Sequence, residues 1–421
     1  MRPNELEIMA PAGNFECLMA AIQGGANSVY FGVGHLNMRS HSAGNFQSEE
    51  LSEVVKICKE HGVKSYLTLN ICLYPEDIDA MKETLDAAKA AGVDAIIASD
   101  MAAIMYCRSI GLEVHISTQL SISNVEAVRF YAQFADVVVL ARELNLDQVK
   151  EIYQSIVNEQ IKGPSGELVR IEMFAHGALC MAISGKCYLS LHSYGASANR
   201  GACYQVCRRG YEVTDLETGN QLLVDNKYIM SPKDLCTIDF MDRIIESGVK
   251  VFKIEGRARS AEYVKRTTEC YRKAADAVCS GTYNKELSEQ LKLRLMEVFN
   301  RGFWDGYYQG AYLGQWSDVY GSQSTRKKVY VGKVTNWFDR IGVAEIAVES
   351  KPLEQGDSAM AIGATTGVVE FEVGDMRVNL SSCSIAQKGE RCSVAIDSSL
   401  CPGGRLRRGD KIYKWVDADK C

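Results

Sequence analysis

Four cysteines that could hold a metal lie close together in one stretch of the sequence. They are Cys180, Cys187, Cys203 and Cys207, four of the fifteen cysteines of the chain, and they fall within 28 residues. Four thiols at this density could form disulfides, bind a zinc ion, bind an iron–sulfur cluster or pack as small apolar side chains. The choice among these chemistries governs any interpretation of function.

The spacing of the four cysteines favours an iron–sulfur cluster. Successive cysteines are separated by six, fifteen and three residues, whereas structural zinc sites typically contain paired ligands two to four residues apart. A cluster held by four thiolates tolerates irregular spacing. Gly177, Gly185 and Gly201 each precede a cysteine by two or three residues, and a residue without Cβ lets backbone N–H groups approach cluster sulfides. Zinc is the runner-up, unliganded thiols come third, and Cys236 is an alternative ligand.

The composition indicates a large globular protein without a membrane span. The chain has 421 residues, 47% of them hydrophobic, and a formal net charge of −6. The first residues contain no apolar segment of a signal peptide, and no run reaches the roughly 18 apolar residues that a spanning helix needs. We therefore expect a cytoplasmic protein, in which thiols serve more often as ligands or buried residues than as disulfides. The negative charge argues against a protein that coats nucleic acid, but not against a local basic patch.

Eight short apolar stretches alternate with amphipathic segments over the first 260 residues. This alternation predicts a (β/α)8 TIM-like barrel, an α/β fold, with a doubly wound open sheet as the alternative. Helix signals lie between the stretches, such as Asn124 as an N-cap and Gly92 at a helix end. The predicted strands cover residues 6–13, 28–34, 64–70, 95–100, 113–121, 136–143, 169–177 and 251–257.

Two further features divide the chain. The connection between the seventh and eighth predicted strands spans about 75 residues and begins with the four cysteines, so we expect it to form a cysteine-rich lid over about residues 178–250. The barrel, the lid and trailing helices make up residues 1–325. Residues 326–421 contain short strands separated by Gly-Asp and Asn turns, which predict a small C-terminal β-barrel.

Polar residues lie at or near the predicted strand ends, on the side where TIM-like barrels build active sites. The candidate catalytic residues are His176, Arg142, Glu143, Glu172, Lys253 and Glu255, and the candidate substrate-binding residues are Arg39, Asn70, Gln119 and Arg257.

Their chemistry suggests a small anionic ligand. Guanidinium groups bind carboxylates in a bidentate way, so the arginines could clamp one. His176 ends the seventh strand and is expected to point near both the mouth and the cysteines. A structural alternative remains for each group: Arg142 could pair with Glu143 or Glu172, and lysine and glutamate on the eighth strand could form a buried pair.

Basic residues in three clusters favour an RNA-binding face. In an acidic chain such clustering is unusual, although any single charge is more often a solvated surface group. Tyr204 and Tyr211 could stack on an unpaired base. The clusters are Arg200, Arg208 and Arg209; Arg326, Lys327 and Lys328; and Arg405, Arg407, Arg408 and Lys411.

The segment "EMFAHGALCMAISGKCYLS" resembles the signature of the collagenase-like peptidase family of unassigned mechanism. "APAGN", "RGACYQVCR" and "KIEGRARSAEYV" are similar to further blocks of that family, so the resemblance covers essentially the whole chain. The signature positions present here are Glu172, Phe174, Gly177, Ala178, Leu179, Cys180, Gly185, Cys187, Leu189 and Ser190.

The resemblance implies an activity that the family name does not suggest. Better understood members resemble oxygen-independent hydroxylation proteins with a four-cysteine [4Fe–4S] cluster. One branch forms 5-hydroxyuridine at the tRNA wobble position and depends on prephenate, another acts on ribosomal RNA cytidine, and a third on a ubiquinone precursor. The length and Cys207 are most similar to the tRNA branch. The resemblance thus implies the four cysteines as cluster ligands, with prephenate as a co-substrate and an electron-transfer partner.

Two alternative functions stay open at this point. The sequence contains neither H-E-x-x-H nor G-x-S-x-G, but a Cys180–His176 pair could serve a peptidase, the hydrolase that the family name implies. A thiolate committed to iron could not also attack a peptide bond. The second alternative is a zinc-stabilised RNA-binding module without catalysis.

Overall fold

The computed structural model describes residues 5–41, 44–219, 221–222, 230–311, 313–319 and 321–418. Up to residue 304, the described residues contain strands β1 (Glu7–Pro11), β2 (Ser28–Phe31), β3 (Lys64–Leu69), β4 (Ala95–Ala98), β5 (Glu113–Ile116), β6 (Val137–Val139), β7 (Arg170–Gly177), β8 (Val213–Thr214), β9 (Gln221–Leu222), β10 (Asp234–Cys236), β11 (Val249–Ile254) and β12 (Phe303–Trp304).

Eight of these strands form a closed parallel barrel. Strands β1 to β7 pair in chain order, and β11 pairs in parallel with both β7 and β1, which closes the ring. The predicted (β/α)8 TIM-like barrel is therefore confirmed, and the open-sheet alternative is wrong. All eight predicted strands are present. Most of them are shorter than the predicted stretches, because the chain turns away from the barrel before the predicted stretch ends.

Helices α1 to α6 and α8 follow barrel strands or precede the next one, as in a TIM-like fold. Asn124 caps α5 by accepting from the backbone N–H of Ala127, and Gly92 ends α3 in the left-handed conformation. Across the described ranges, no helix is both long and apolar enough to cross a bilayer. The helices are α1 (Phe15–Gln23), α2 (Leu51–Glu60), α3 (Ile78–Ala91), α4 (Met101–Ser109), α5 (Val125–Tyr131), α6 (Leu146–Asn158), α7 (Leu189–Tyr194), α8 (Met241–Glu246), α9 (Ala261–Ser280) and α10 (Lys285–Met296).

The barrel interior is apolar at one level and charged at another. Met9, Tyr30, Tyr66, Ile97 and Val251 belong to one buried cluster contributed by inward positions of several strands. Further inward positions of β7 and β11 carry the charged side chains of Glu172 and Lys253. The apolar layer supports the barrel, and the polar layer faces its mouth.

The long connection between β7 and β11 covers the C-terminal ends of the strands, as expected for a lid. The backbone N–H of Cys72, after β3, donates to the carbonyl of Asn199 in the lid over 3.1 Å. Gly201 has a φ of +89°, and a Cβ there would overlap Ser40 and the Asn37 carbonyl after β2. The lid therefore docks on the loops that follow β2 and β3, and Gly201 is required for close approach rather than only for cluster contact.

The C-terminal residues form an eight-stranded antiparallel sheet around a second hydrophobic core. The strand order of this sheet is β17-β16-β22-β13-β14-β21-β18-β19. Among the described residues, β17 and β19 are the edge strands. The strands of this region are β13 (Arg326–Phe338), β14 (Val343–Val348), β15 (Leu353–Glu354), β16 (Ser358–Gly363), β17 (Gly367–Glu372), β18 (Met376–Val378), β19 (Ser381–Cys383), β20 (Ile385–Ala386), β21 (Arg391–Ala395) and β22 (Lys411–Asp417).

Candidate functional site

Three arginines surround one glutamate at the mouth of the barrel. Glu255 directly follows β11, and its Oε1 accepts from Nη2 of Arg39 over 2.8 Å. The charges of Arg142 and Arg257 also act on this carboxylate. The four residues come from loops or strand ends after β2, β6 and β11, so only barrel closure brings them together.

The arginines keep Glu255 ionised despite its burial. Burial alone raises the pKa of this carboxyl group, but the charges of Arg39, Arg142 and Arg257 and the hydrogen bond from Arg39 hold its pKa at about 2. Burial lowers the pKa of Arg257 to about 10, which still leaves it protonated at neutral pH. The group therefore carries three positive charges and one negative charge, a net charge of +2.

Arg142 and Arg257 are held in place by neutral partners rather than by a carboxylate of their own. Nη1 of Arg142 donates to the Ala178 carbonyl over 3.1 Å, and its guanidinium lies 3.6 Å from the centre of the Phe174 ring. Its Nε is buried without a hydrogen-bond partner among the described residues. Nη1 of Arg257 donates to Oγ1 of Thr68 over 2.9 Å. These hydrogen bonds hold both guanidinium groups in place, but the accepting oxygens are neutral and do not balance their positive charge.

Lys253 and Glu172 form a buried ion pair inside the barrel, below this group. Nζ of Lys253 donates to Oε1 of Glu172 over 2.8 Å, and the two side chains are 6% and 0% exposed. Oε2 of Glu172 lies 4.0 Å from Nδ1 of His115, and neither atom has a hydrogen-bond partner among the described residues. The sequence suggested a lysine–glutamate pair within the eighth strand, but Lys253 pairs with Glu172 of β7, while Glu255 pairs with Arg39.

His176 does not face the mouth, which corrects the expectation drawn from its position. Its ring packs against Tyr263, Tyr271 and Phe303, and Nδ1 lies 3.3 Å from the Tyr271 hydroxyl. Lys253 pairs with Phe174, but Ile254 pairs with His176, so β7 carries an extra residue that reverses the facing of the later residues. Burial lowers the pKa of His176 to about 3. It is therefore neutral at physiological pH and is not the expected proton donor.

The remaining mouth candidates separate into two groups. Glu143 is exposed at the surface. Asn70 and Gln119 instead line a cavity of about 470 Å³ between the strand ends and the lid, which also has Asn199 in its wall. Asn70 directly follows β3, and Gln119 lies in the turn three residues after the end of β5.

The four cysteines of the lid lie near one another. Cys207 is largely buried, which raises the pKa of its thiol, and the neighbouring charges of Cys180, Cys203 and Cys187 raise it further while Arg208 opposes them. The charge of Glu255, followed by those of Cys180 and Cys203, raises the pKa of Arg39. Cys180 and Cys203 are therefore neighbours of Arg39 as well as of Cys207.

The lid thiols do not form a compact site for a single metal ion within the described residues. No group of three or more His, Cys, Asp or Glu side chains within the described part of the chain stands close enough to hold one metal ion. Cys236, the alternative ligand, is buried in β10 with its sulfur 3.8 Å from the Tyr271 hydroxyl. The donor set thus consists of four spaced thiols, most of them partly or fully exposed.

The basic residues of the first predicted RNA-binding cluster have different partners in the structure. Arg200 pairs with Asp77 over 2.6 Å, and the mostly buried Arg208 donates to the Pro232 carbonyl over 2.9 Å, so both hold the lid together. Arg209 lies over the ring of Tyr194, which packs 5.1 Å from the half-exposed Tyr204.

The second and third basic clusters lie in the C-terminal sheet and the loop before β22. There Lys328 pairs with Glu262 over 2.8 Å, and Arg405 lies 3.9 Å from Asp339.

Several residues of the site carried no signal in the sequence. Tyr30 donates to the Ile254 carbonyl over 2.9 Å, and its ring lies 4.7 Å from Nζ of Lys253. Thr68 and Ser117 are buried partners of Arg257 and Asn70. The alternation of β2 and β3 would have placed Tyr30 and Thr68 inside the barrel, but not beside a particular charge.

The family of the chain is identified by its sequence. Residues 13–317 match Peptidase family U32, and the chain belongs to this family. The resemblance seen in the signature segment is thereby confirmed.

Relatives of this chain carry two kinds of name. It is 56% identical over 411 residues to "Collagenase" of Porphyromonas gingivalis strain W83, covering 98% of this chain and 99% of that one. It is 35% identical to "tRNA hydroxylation protein P1" of Bacillus subtilis, covering 79% and 77%. It is 36% identical to "23S rRNA 5-hydroxycytidine C2501 synthase" of Escherichia coli, covering 65% of this chain and 40% of that one.

Proposed function

We propose that this protein is an iron–sulfur enzyme for oxygen-independent hydroxylation of RNA, acting on the wobble uridine of tRNA to form 5-hydroxyuridine. The observation that carries the proposal is the convergence of four lid thiols and three arginines at one barrel mouth. The tRNA and ribosomal RNA hydroxylation proteins among the relatives support the substrate class.

The four thiols suit a cluster better than a single ion. A zinc ion needs its ligands about 2.3 Å away on all sides, which draws the sulfurs close together. The ligands of a [4Fe–4S] cluster stand around a much larger group, so their sulfurs remain further apart. Thiols that are electrostatic neighbours without forming a single-ion group fit the second description. When bound by Cys180, Cys187, Cys203 and Cys207, the cluster would supply electron transfer at the mouth, and an external electron-transfer partner would have to reach it.

The arginine group suits a small anionic co-substrate. Its net charge of +2 would be balanced by a dicarboxylate, and prephenate is such a molecule. Arg142 and Arg257 would bind the carboxylates, because their present hydrogen-bond partners are neutral oxygens. Arg39 would keep Glu255 ionised and oriented between them. Lys253 and Glu172, which neutralise each other, would support this layer from below.

Peptidase activity is the second candidate, because a relative of 56% identity is named collagenase. A cysteine peptidase requires a base within hydrogen-bond reach of its thiol. His176, the histidine nearest to Cys180 in the sequence, is buried against α9 and has a pKa of about 3. The geometry of the site therefore favours RNA hydroxylation, and a zinc-stabilised RNA-binding module remains as a third outcome of the test.

Metal analysis of anaerobically purified protein is the first test. We expect about four iron and four sulfide per chain, with broad visible absorption. Serine at Cys180, Cys187, Cys203 or Cys207 should remove this absorption, whereas Cys58→Ser and Cys383→Ser serve as controls that retain it. One zinc per chain would contradict the cluster. Loss of absorption in Cys236→Ser but not in Cys207→Ser would reassign the fourth ligand.

Mass spectrometry of tRNA nucleosides is the second test. Cells that lack the protein should lose 5-hydroxyuridine, and the wild-type gene should restore it while the cysteine variants do not. Purified protein with a full cluster should leave collagen peptides intact. Unchanged 5-hydroxyuridine in the deletion strain, together with cleaved peptide, would replace RNA hydroxylation with peptidase activity.

A further inference from the structure

The cavity between the barrel and the lid has a size suited to one small chemical group. Its volume is about 470 Å³, within the range of small-ligand sites and too small for a folded partner. Asn70, Ser99 and Gln119 come from the ends of three consecutive strands on the barrel side. Lys186, Tyr188 and Asn199 come from the lid. A ligand in this cavity would touch both the barrel and the cysteine-bearing lid.

A chain of hydrogen bonds fixes which end of Gln119 is free. The backbone N–H of Met38 donates to Oδ1 of Asn70 over 3.3 Å, which leaves Nδ2 of Asn70 to donate to Oγ of Ser117 over 3.4 Å. The Ser117 hydroxyl then donates to Oε1 of Gln119. Because a backbone N–H can only donate, every later member of the chain has a defined direction. Nε2 of Gln119 is left as an unused donor among the described residues.

Asn199 is oriented in the same sense from the lid side. Its Oδ1 accepts from the backbone N–H of Cys187 over 3.1 Å, so the oxygen is occupied. Nδ2 has no partner among the described residues and is a second available donor. Two oriented amide donors therefore line one cavity, together with a tyrosine ring that is 71% exposed at Tyr188 and the ammonium group of Lys186.

From this arrangement we infer that the cavity binds a single unpaired pyrimidine base of RNA, and that Gln119 and Asn199 select a base edge with carbonyl acceptors. Uracil presents carbonyl oxygens on both sides of its N3–H, whereas cytosine presents an amino donor in place of one of them. Tyr188 would stack on the base, and Lys186 would contact a phosphate. The inference rests on the proposed function and adds the place of the base and the residues that discriminate.

Binding of short single-stranded RNA to the full-length, cluster-loaded protein tests the inference directly. The probes are oligoadenylates with one central uridine or one central cytidine, and fluorescence anisotropy measures their affinity. The wild type should prefer uridine by about tenfold. With cytidine, the amino group of the base would face one of the two amide donors, and the hydrogen bond that a uracil carbonyl accepts there would be lost. Gln119→Glu, which replaces the donor by an acceptor, should abolish or reverse this preference. Ser117→Ala should reduce it, because the amide of Gln119 could then rotate.

Matched controls and a second readout separate the possible failures. Gln154→Glu makes the same chemical change at an exposed position of α6 and should keep the preference. Gln119→Ala, checked by thermal unfolding, replaces Gln119→Glu if that variant does not fold. Equal affinity of the wild type for both probes, or an unchanged preference in Gln119→Glu, overturns the cavity assignment. Nucleoside analysis of the same strains reports independently on hydroxylation, so a wild-type protein that forms 5-hydroxyuridine but shows no preference between the probes refutes only this inference.

Discussion

Arg39 and Glu255 form an ion pair of 2.8 Å across the mouth of the barrel. Arg39 follows the second strand and Glu255 the last, so the pair spans the point where the barrel closes. The charges of Cys180 and Cys203 also act on Arg39, which places this arginine between the barrel and the lid. One side chain thus connects the anion-binding layer with the thiols.

Removing an unmatched guanidinium should weaken ligand binding without unfolding the protein. Arg142→Gln and Arg257→Gln should each reduce the affinity for prephenate about ten- to a hundredfold, since a charged hydrogen bond typically contributes about 1.5–3 kcal/mol. Calorimetric titration of cluster-loaded protein measures this effect. Arg108→Gln, on the exposed side of α4, is the control. Unchanged affinity in both variants would assign these arginines a structural role only.

Glu255 should contribute acid-sensitive stability. Its folded pKa of about 2 lies below the ordinary value of 4.5, so its contribution is complete above pH 4.5 and disappears as the pH falls towards 2. The shift corresponds to roughly 3 kcal/mol at neutral pH. Glu255→Gln should therefore be less stable than the wild type at pH 7, and the difference should shrink near pH 3. Urea unfolding at several pH values measures it.

The control for this pH effect is Glu60→Gln, because Glu60 is 59% exposed and lies 4.0 Å from Lys56. Its stability should follow the wild type within a few tenths of a kcal/mol. Glu7, which pairs with Arg170 and also has a pKa of about 2, titrates in the same window and stays present in both variants. A difference between Glu255→Gln and wild type that does not change with pH would contradict the assignment.

Breaking the buried ion pair of Lys253 and Glu172 should strongly destabilise the barrel. Lys253→Met leaves a charged carboxylate at 0% exposure and should cost about 3–5 kcal/mol in urea unfolding. Adding Glu172→Leu should recover much of this loss, because no buried charge then remains unpaired. Lys285→Met, in an exposed pair with Glu289, should have little effect. Additive losses in the double variant would mean that the residues do not act as a pair.

Gly201 should be needed for docking of the lid. A Cβ at this position would overlap Ser40 and the Asn37 carbonyl, so Gly201→Ala should displace the lid and expose it to limited proteolysis. Gly195 also has a positive φ, but a Cβ there would meet no atom within 4 Å among the described residues. Gly195→Ala therefore separates backbone strain from overlap. Equal protease sensitivity of the two variants would show that strain alone matters.

The local sequence determined the elements and their order. Apolar stretches of strand length, separated by amphipathic segments, predicted all eight barrel strands because burial on both faces requires continuous apolar residues. The sequence predicted Asn70 and Gln119 at strand ends near the mouth, and both line the cavity beneath the lid. The length of the connection between the seventh and eighth strands likewise indicated a lid, because a connection of about 75 residues is far longer than a normal loop between a strand and a helix.

The tertiary structure alone decided which of these groups face one another. Strand alternation from Glu172 and Phe174 would point His176 inward, but an extra residue of β7 against β11 turns it towards α9. Any two of the three arginines Arg39, Arg142 and Arg257 are separated by more than a hundred residues in the sequence. Only closure of the barrel brings them together around Glu255. Register shifts and ring closure depend on pairing between distant strands, so no local pattern of residue types can specify them.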